Sequence, residues 1–241
     1  MKVRWWFVLG ILTWMPPLAA RAQEEVKVNG RVLDAAGKPV AGIEVASSWN
    51  IQDGKMNAYK GATTNAKGRL TLAVSFYGTG QGLLALDKER KSGALLVLDE
   101  KEAAKPVELK LVPLVRVHGR LYCKELDKKP MWTMVYMMSG SARFLGCSSD
   151  DASFSFHLPP GKYKFWGYGS DIQNLKKDIT LSADKLDFDM GTLDMAATII
   201  ARHKGKAPPA WHVSDARGVN KDVQISDFKG KWVLIEFWGY W

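Results

Sequence analysis

Cys123 and Cys147 are the only thiols of this 241-residue chain, and they stand too far apart for a Cys-x-x-Cys redox pair. Nothing near them completes a zinc-type spacing. In an oxidising compartment two such cysteines read as a structural disulfide; the alternative is a pair of buried thiols. The four histidines, His118, His157, His203 and His212, fall on separate segments without an i, i+4 or cysteine partner. They read as surface or interface residues, so no metal site is expected. Ser139-Gly140-Ser141 lacks the nucleophile-elbow pattern. Gly78-Thr79-Gly80 lacks the Lys-Ser/Thr of a phosphate cradle, and no cofactor is expected. Trp49, Trp132, Trp166 and Tyr168 admit two readings, a sugar-stacking patch or core packing, and strand aromatics are more often core. One carboxylate, Glu236, interrupts an apolar run near the C-terminal end.

These residues hang on segments that read mainly as strands. Val26, Val28, Gly30 and Val32 alternate with Lys27, Asn29, Arg31 and Leu33, close to period two. Residues 34–39 are a turn cluster, 40–49 resume an extended run, and the turn at 65–68 leads into 69–74. Further short strands fit 82–86, 94–98 and 107–112, spaced as in a β-sandwich. The pattern then restarts. Val26-Lys27-Val28-Asn29-Gly30-Arg31-Val32 is echoed 89 residues later by Val115-Arg116-Val117-His118-Gly119-Arg120-Leu121. Such an echo marks tandem copies of one unit. Strands of the second copy fit 132–138, 144–147, 154–158, 163–168, 179–181 and 188–193. Phe154, Phe156 and Leu158 share one face, as do Tyr163 and Phe165.

The first residues read as a secretory signal peptide. Lys2 and Arg4 precede an apolar run over 5–15, Pro16 and Pro17 end it, and Ala20-Arg21-Ala22 places the cut before Gln23. The run is shorter than the roughly 20 residues that a spanning helix needs. The mature chain is therefore expected to be exported, to the periplasm, the cell envelope or the medium, and not to span a membrane. Lys2, Arg4 and Arg21 account for three of the charges behind the formal net +9. The remaining lysines are scattered, with pairs at Lys128-Lys129 and Lys176-Lys177, and no basic stripe or motif points to nucleic acid.

The first strand motif, with Gly37-Lys38-Pro39-Val40-Ala41-Gly42-Ile43-Glu44-Val45 and Thr64-Asn65-Ala66-Lys67-Gly68-Arg69-Leu70, resembles the carboxypeptidase regulatory-like, or transthyretin-like, domain. In the second copy Phe154-Ser155-Phe156-His157-Leu158-Pro159-Pro160-Gly161-Lys162-Tyr163 stands at the matching place. The resemblance covers about 26–195 and implies two tandem antiparallel β-sandwiches of transthyretin (prealbumin-like) type. It implies little about activity, because the module recurs in many contexts.

The last segment differs in kind. Trp232-Val233-Leu234-Ile235-Glu236-Phe237-Trp238 is nearly continuous in apolar residues, as in a parallel strand covered on both faces. With Gly205-Lys206-Ala207-Pro208 and Ser226-Asp227-Phe228-Lys229-Gly230-Lys231 before it, 205–241 resembles the start of a thioredoxin-like redoxin. The family is the alkyl hydroperoxide reductase / thiol-specific antioxidant superfamily, in its TlpA- and ResA-like branch. There a Cys-x-x-Cys follows at once; here Trp241 is reached first. The resemblance gives Glu236 the place of a buried proton-transfer carboxylate and puts Trp238 and Trp241 beside the reactive site. The expected organisation is a signal peptide (1–22), two sandwiches (23–112 and 113–195), a linker (196–204) and an incomplete α/β thioredoxin-like segment (205–241). The function so implied is an exported thiol–disulfide oxidoreductase acting on protein dithiols or disulfides, and inactive as written. The alternative is a cell-envelope binding or structural protein whose sandwiches recognise glycan or peptide.

Overall fold

The computed structural model describes residues 25–52, 54–76, 80–140, 142–207, 210, 212–234 and 236. The expected signal peptide, Trp238 and Trp241 lie outside them. The period-two segments form four sheets. In the first repeat, β1 (Glu25–Leu33) lies between β6 (Arg69–Ser75), antiparallel to it, and β9 (Val107–Lys110), parallel to it. The sheet sharing its core has five strands. Their order is β10 (Val112–Pro113), β8 (Ser92–Leu98), β7 (Gln81–Leu86), β2 (Glu44–Ala46) and β5 (Ala62–Thr63). A single turn of helix, α1 (Glu100–Ala103), joins β8 to β9. Asp99 and Glu102 close its N-terminus with reciprocal hydrogen bonds of 2.8 Å.

The second repeat rebuilds the small sheet. β11 (Val115–Tyr122) lies between β14 (Ser153–Leu158), antiparallel, and β17 (Asp187–Asp194), parallel. Gly119 is needed at its centre, because a Cβ there would come within 2.8 Å of the Gly191 carbonyl oxygen and the Phe154 ring. The larger sheet has the order β16 (Leu175–Leu181), β15 (Gly161–Gly169), β12 (Thr133–Ser139), β13 (Ala142–Ser149), β3 (Ser48–Gln52) and β4 (Lys55–Tyr59). Phe154, Phe156, Leu158, Tyr163 and Phe165 all point into the core between the two sheets. The mainly β, sandwich-type fold is therefore as the alternation implies.

Two particulars differ from expectation. Three of the four sheets are mixed, and only the five-stranded one is antiparallel throughout. The first and last strands of each repeat lie side by side and run the same way. The chain visits the facing sheet between them, which supplies the crossover that a parallel pair requires. The repeats are also not two closed units. The β3–β4 hairpin belongs to the first repeat in sequence but extends the second repeat's sheet through a parallel ladder on β13. The pairing sets Trp49 beside Leu145 and Ile51 beside Cys147. Both side chains thereby enter the second core, and Trp49 is 2% exposed, its indole N–H donating to the Leu84 carbonyl at 3.4 Å.

β7 completes the joint. Its residues 82–86 are buried on both faces. Leu83 and Ala85 pack into the first core, while Leu84 and Leu86 pack into the second.

After β17, α2 (Ile199–His203) is capped by Thr198, whose hydroxyl accepts from the Ala201 N–H at 3.1 Å. Arg202 ties it back through a two-point contact to Glu125, at 2.6 and 3.0 Å. Beyond α2 the described residues form one 3-10 turn, Ile225–Phe228. The strand expected across 232–238 is not formed at 232–234 or 236. A strand needs a neighbour for its N–H and C=O groups, and every ladder in the four sheets pairs residues up to 194 with one another. Trp232 and Leu234 stand 103% and 92% exposed.

Candidate binding face

The outer face of the six-stranded sheet follows from strand alternation. On β12, Thr133, Val135 and Met137 are buried, so Met134, Tyr136 and Met138 point out. On β15, Tyr163 and Phe165 are buried, so Trp166 and Tyr168 point out with Lys162 and Lys164. The register then lines up one transverse row. Lys176, Trp166, Tyr136, Gly146, Asn50 and Asn57 are successive cross-strand partners from β16 to β4. Gly146 leaves room in that row, since a Cβ there would stand 3.1 Å from Cε1 of the Tyr136 ring.

The rings form one cluster. Tyr136 and Tyr168 stack with centroids 5.9 Å apart and planes at 22°. Trp166 lies 6.2 Å from Tyr136 and 5.7 Å from Tyr168. Trp132, half exposed just before β12, meets Tyr168 edge-on at 5.9 Å. The two phenols are within 3.5 Å of each other, and this contact, with burial, pushes the Tyr168 hydroxyl above its ordinary pKa, so it stays protonated at neutral pH. Two cations cover rings. The Arg143 guanidinium carbon is 4.2 Å from the Tyr136 centroid and the Lys176 Nζ is 5.0 Å from that of Trp166. The indole N–H of Trp166 is screened from solvent and has no hydrogen-bond partner among the described residues. Four aromatic rings with adjacent donors can hold a ligand that offers a flat apolar face and acceptor oxygens.

Of the four aromatics read from sequence as patch or core, Trp132, Trp166 and Tyr168 come together on this face, and Trp49 is core. Tyr136 was missed. Its parity along β12 was the available signal, because it shares a face with Met134 and Met138.

A second, polar cleft of about 710 Å³ lies over β11, β14 and β17 and is lined by Arg116, His118, Arg120, Ser148, Asp151 and Ser155. His118 faces Ser155 across β14 and Asp189 across β17. Its Nε2 is 3.2 Å from an Asp187 oxygen and its Nδ1 is 3.6 Å from one of Asp189. The Nε2 contact is within hydrogen-bond distance and the Nδ1 one is beyond it, so the imidazole's near partner is Asp187 rather than Ser155. Hydrogen bonds from Ser149 and Ser153 hold the Asp151 carboxyl far below the usual carboxylate range.

The remaining sequence candidates stay apart. Cys123 and Cys147 are free and buried, so the expected disulfide is not formed. The Ser155 backbone N–H bonds to the Cys147 thiol, and Ser155 is level with His118 on β11. Cys123 follows five residues further on, just past the end of β11, about 16 Å at strand rise. Burial pushes the Cys147 thiol up, away from the reactive thiolate. Glu236 is exposed, without the burial that a proton-transfer carboxylate would need. His157 is half-buried on β14, His203 ends α2, and His212 is exposed. Among the described residues no cluster of three His, Cys, Asp or Glu could hold a metal ion. No helix there is long and apolar enough to cross a membrane.

No family model and no curated protein matches the chain. Among solved structures it is similar to a streptococcal ancillary pilin, at 12% identity over 73% of this chain and 63% of that one, with a TM-score of 0.32. A D295N mutant of the shaft pilin SpaA from Lactobacillus rhamnosus GG is similar at 12% identity over 73% and 99%, with a TM-score of 0.30. A leucine-rich repeat protein from Bacteroides thetaiotaomicron is similar at 13% identity over 72% and 27%, with a TM-score of 0.31. The chain thus spans less than two thirds of the length of the ancillary pilin. At these TM-scores the likenesses carry no weight in the functional reading.

Proposed function

We propose that the chain is an exported cell-envelope binding protein whose outer six-stranded face recognises glycan. The observation that carries this reading is the cluster of Trp132, Tyr136, Trp166 and Tyr168 on the solvent side of a rigid sheet. Aromatic side chains held by strands present large apolar faces with little conformational entropy left to lose on binding. A pyranose ring offers matching C–H faces and a rim of hydroxyls. Export rests on the signal peptide read at 1–22. The resemblance of 26–195 to carboxypeptidase regulatory-like domains fits a carrier of binding surfaces, since that module is tied to no single chemistry. The oxidoreductase reading of 205–241 has no supporting observation among the described residues: the thiols are buried, Glu236 is exposed and the expected strand is absent.

The test is a glycan array probed with residues 23–241, followed by titration of intrinsic tryptophan fluorescence with the best binders. Trp132→Ala and Tyr136→Ala should each weaken binding by about five- to ten-fold, with unchanged melting temperature. Binding that ignores both substitutions, or an array with no binder, would reject the proposal.

A further inference from the structure

We infer that the ligand of this face is an anionic glycan, a sugar chain bearing carboxylate groups as uronic acids do. The inference rests on the glycan-binding reading above and goes beyond it in naming the charge.

The hydrogen-bonding inventory points one way. Beside Trp166 opens a cleft of about 410 Å³ lined by Met138, Lys164, Trp166, Lys176, Lys177 and Asp178. Lysine ammonium groups and the indole N–H donate and cannot accept. Asp178 is the only acidic side chain in that set. It stands opposite Lys164 in the β15–β16 register, yet no carboxylate among the described residues lies within 4 Å of the nitrogens of Lys164, Lys176, Lys177 or Arg143. The Trp166 N–H is a further donor without an acceptor among the described residues, screened from solvent in the free protein. A ligand that satisfies this wall must be rich in acceptors.

The two cation–ring contacts sharpen the point. In the free protein Lys176 covers Trp166 and Arg143 covers Tyr136. A sugar ring that stacks on either aromatic has to displace the cation above it. A neutral sugar returns only hydroxyls to the displaced group. A carboxylate returns a charge-assisted hydrogen bond, stronger than the ring contact it replaces. The platform therefore selects for sugars that carry the counter-ion with them.

The experiment compares a galacturonic acid tetramer with its fully methyl-esterified form, and with poly-glutamate, on the 23–241 chain, by calorimetry at low and high salt. The free acid should bind at least about ten-fold tighter than the ester, with the gap narrowing at high salt. Lys164→Ala/Lys176→Ala should remove most of that gap, with circular dichroism unchanged. Trp132→Ala should weaken both sugars alike. Equal affinity for acid and ester, or a gap untouched by the lysine substitutions, overturns the inference while leaving glycan binding standing. Poly-glutamate bound as tightly as the sugar acid overturns it too, since charge alone would then suffice. Failure of both tetramers and of every array glycan sinks the parent reading instead.

Discussion

Residues 82–86 and 232–237 carry the same signature, a short apolar run without alternation, and meet opposite fates. In the first, Leu83 and Ala85 enter one core and Leu84 and Leu86 the other, all four at 0% exposure. In the second, Trp232 and Leu234 stand in solvent. An unbroken apolar run states that both faces need cover, and says nothing about whether cover arrives. β7 has ladders on both sides, to β8 and β2, and a sandwich above and below. The described residues of 232–237 have no neighbouring strand, so the same composition gives exposed surface.

The strongest way to break this comparison is to charge both runs. Leu84→Asp places an unpaired carboxylate between the two cores and should cost more than about 4 kcal/mol, enough to leave the chain unfolded by circular dichroism. A folded Leu84→Asp variant would show that β7 is not the joint. Next in size, Leu83→Ala and Leu86→Ala should each cost about 2–5 kcal/mol in urea titrations. Because the two side chains serve different cores through one strand, both should shift a single shared transition. Two separate transitions, each answering to one substitution, would mean that the repeats unfold independently.

Protonation probes the same joint more gently. Burial, then the positive charges of Arg116 and of Arg90 from the first repeat, hold the His157 imidazole below its ordinary 6.5. A depressed histidine favours the folded state above the unfolded pKa, and that contribution is lost as pH falls through 6.5 toward the folded value. The urea midpoint should therefore drop between pH 7 and 5, and His157→Gln should flatten the slope. An identical slope in the variant would remove His157 from the account. The smallest effect belongs to the tail: Leu234→Asp should change stability by no more than about 0.5 kcal/mol while reducing light scattering on concentration. A large loss of stability there would mean that 232–237 is covered after all.

Much of the fold was legible because it is local. The restart at Val115 shows in the spelling of the chain, and the inward set of Phe154, Phe156, Tyr163 and Phe165 follows from period two. The outward set follows from the same count, so Trp166 and Tyr168 could have been placed opposite Phe165. Trp49 obeys the period as well, but which core it would join depends on pairing with Leu145, nearly a hundred residues away. No local pattern encodes that register. Nor does spacing along the chain tell Cys123 and Cys147 apart from a bonded pair; only where the fold sets them, Cys147 on β13 and Cys123 past the end of β11, does.

The donated hairpin leaves the repeats alike in their three-stranded sheets but not interchangeable. A cut after Pro113 would take β3 and β4 away from β13 and leave that strand with a bare hydrogen-bonding edge. The same cut would strand Trp49, Ile51, Leu84 and Leu86 in water on the other piece. A gene fusion that borrowed either repeat alone would inherit a sticky seam. The smallest portable cassette runs from Glu25 through α2, and the aromatic face travels only with the whole of it.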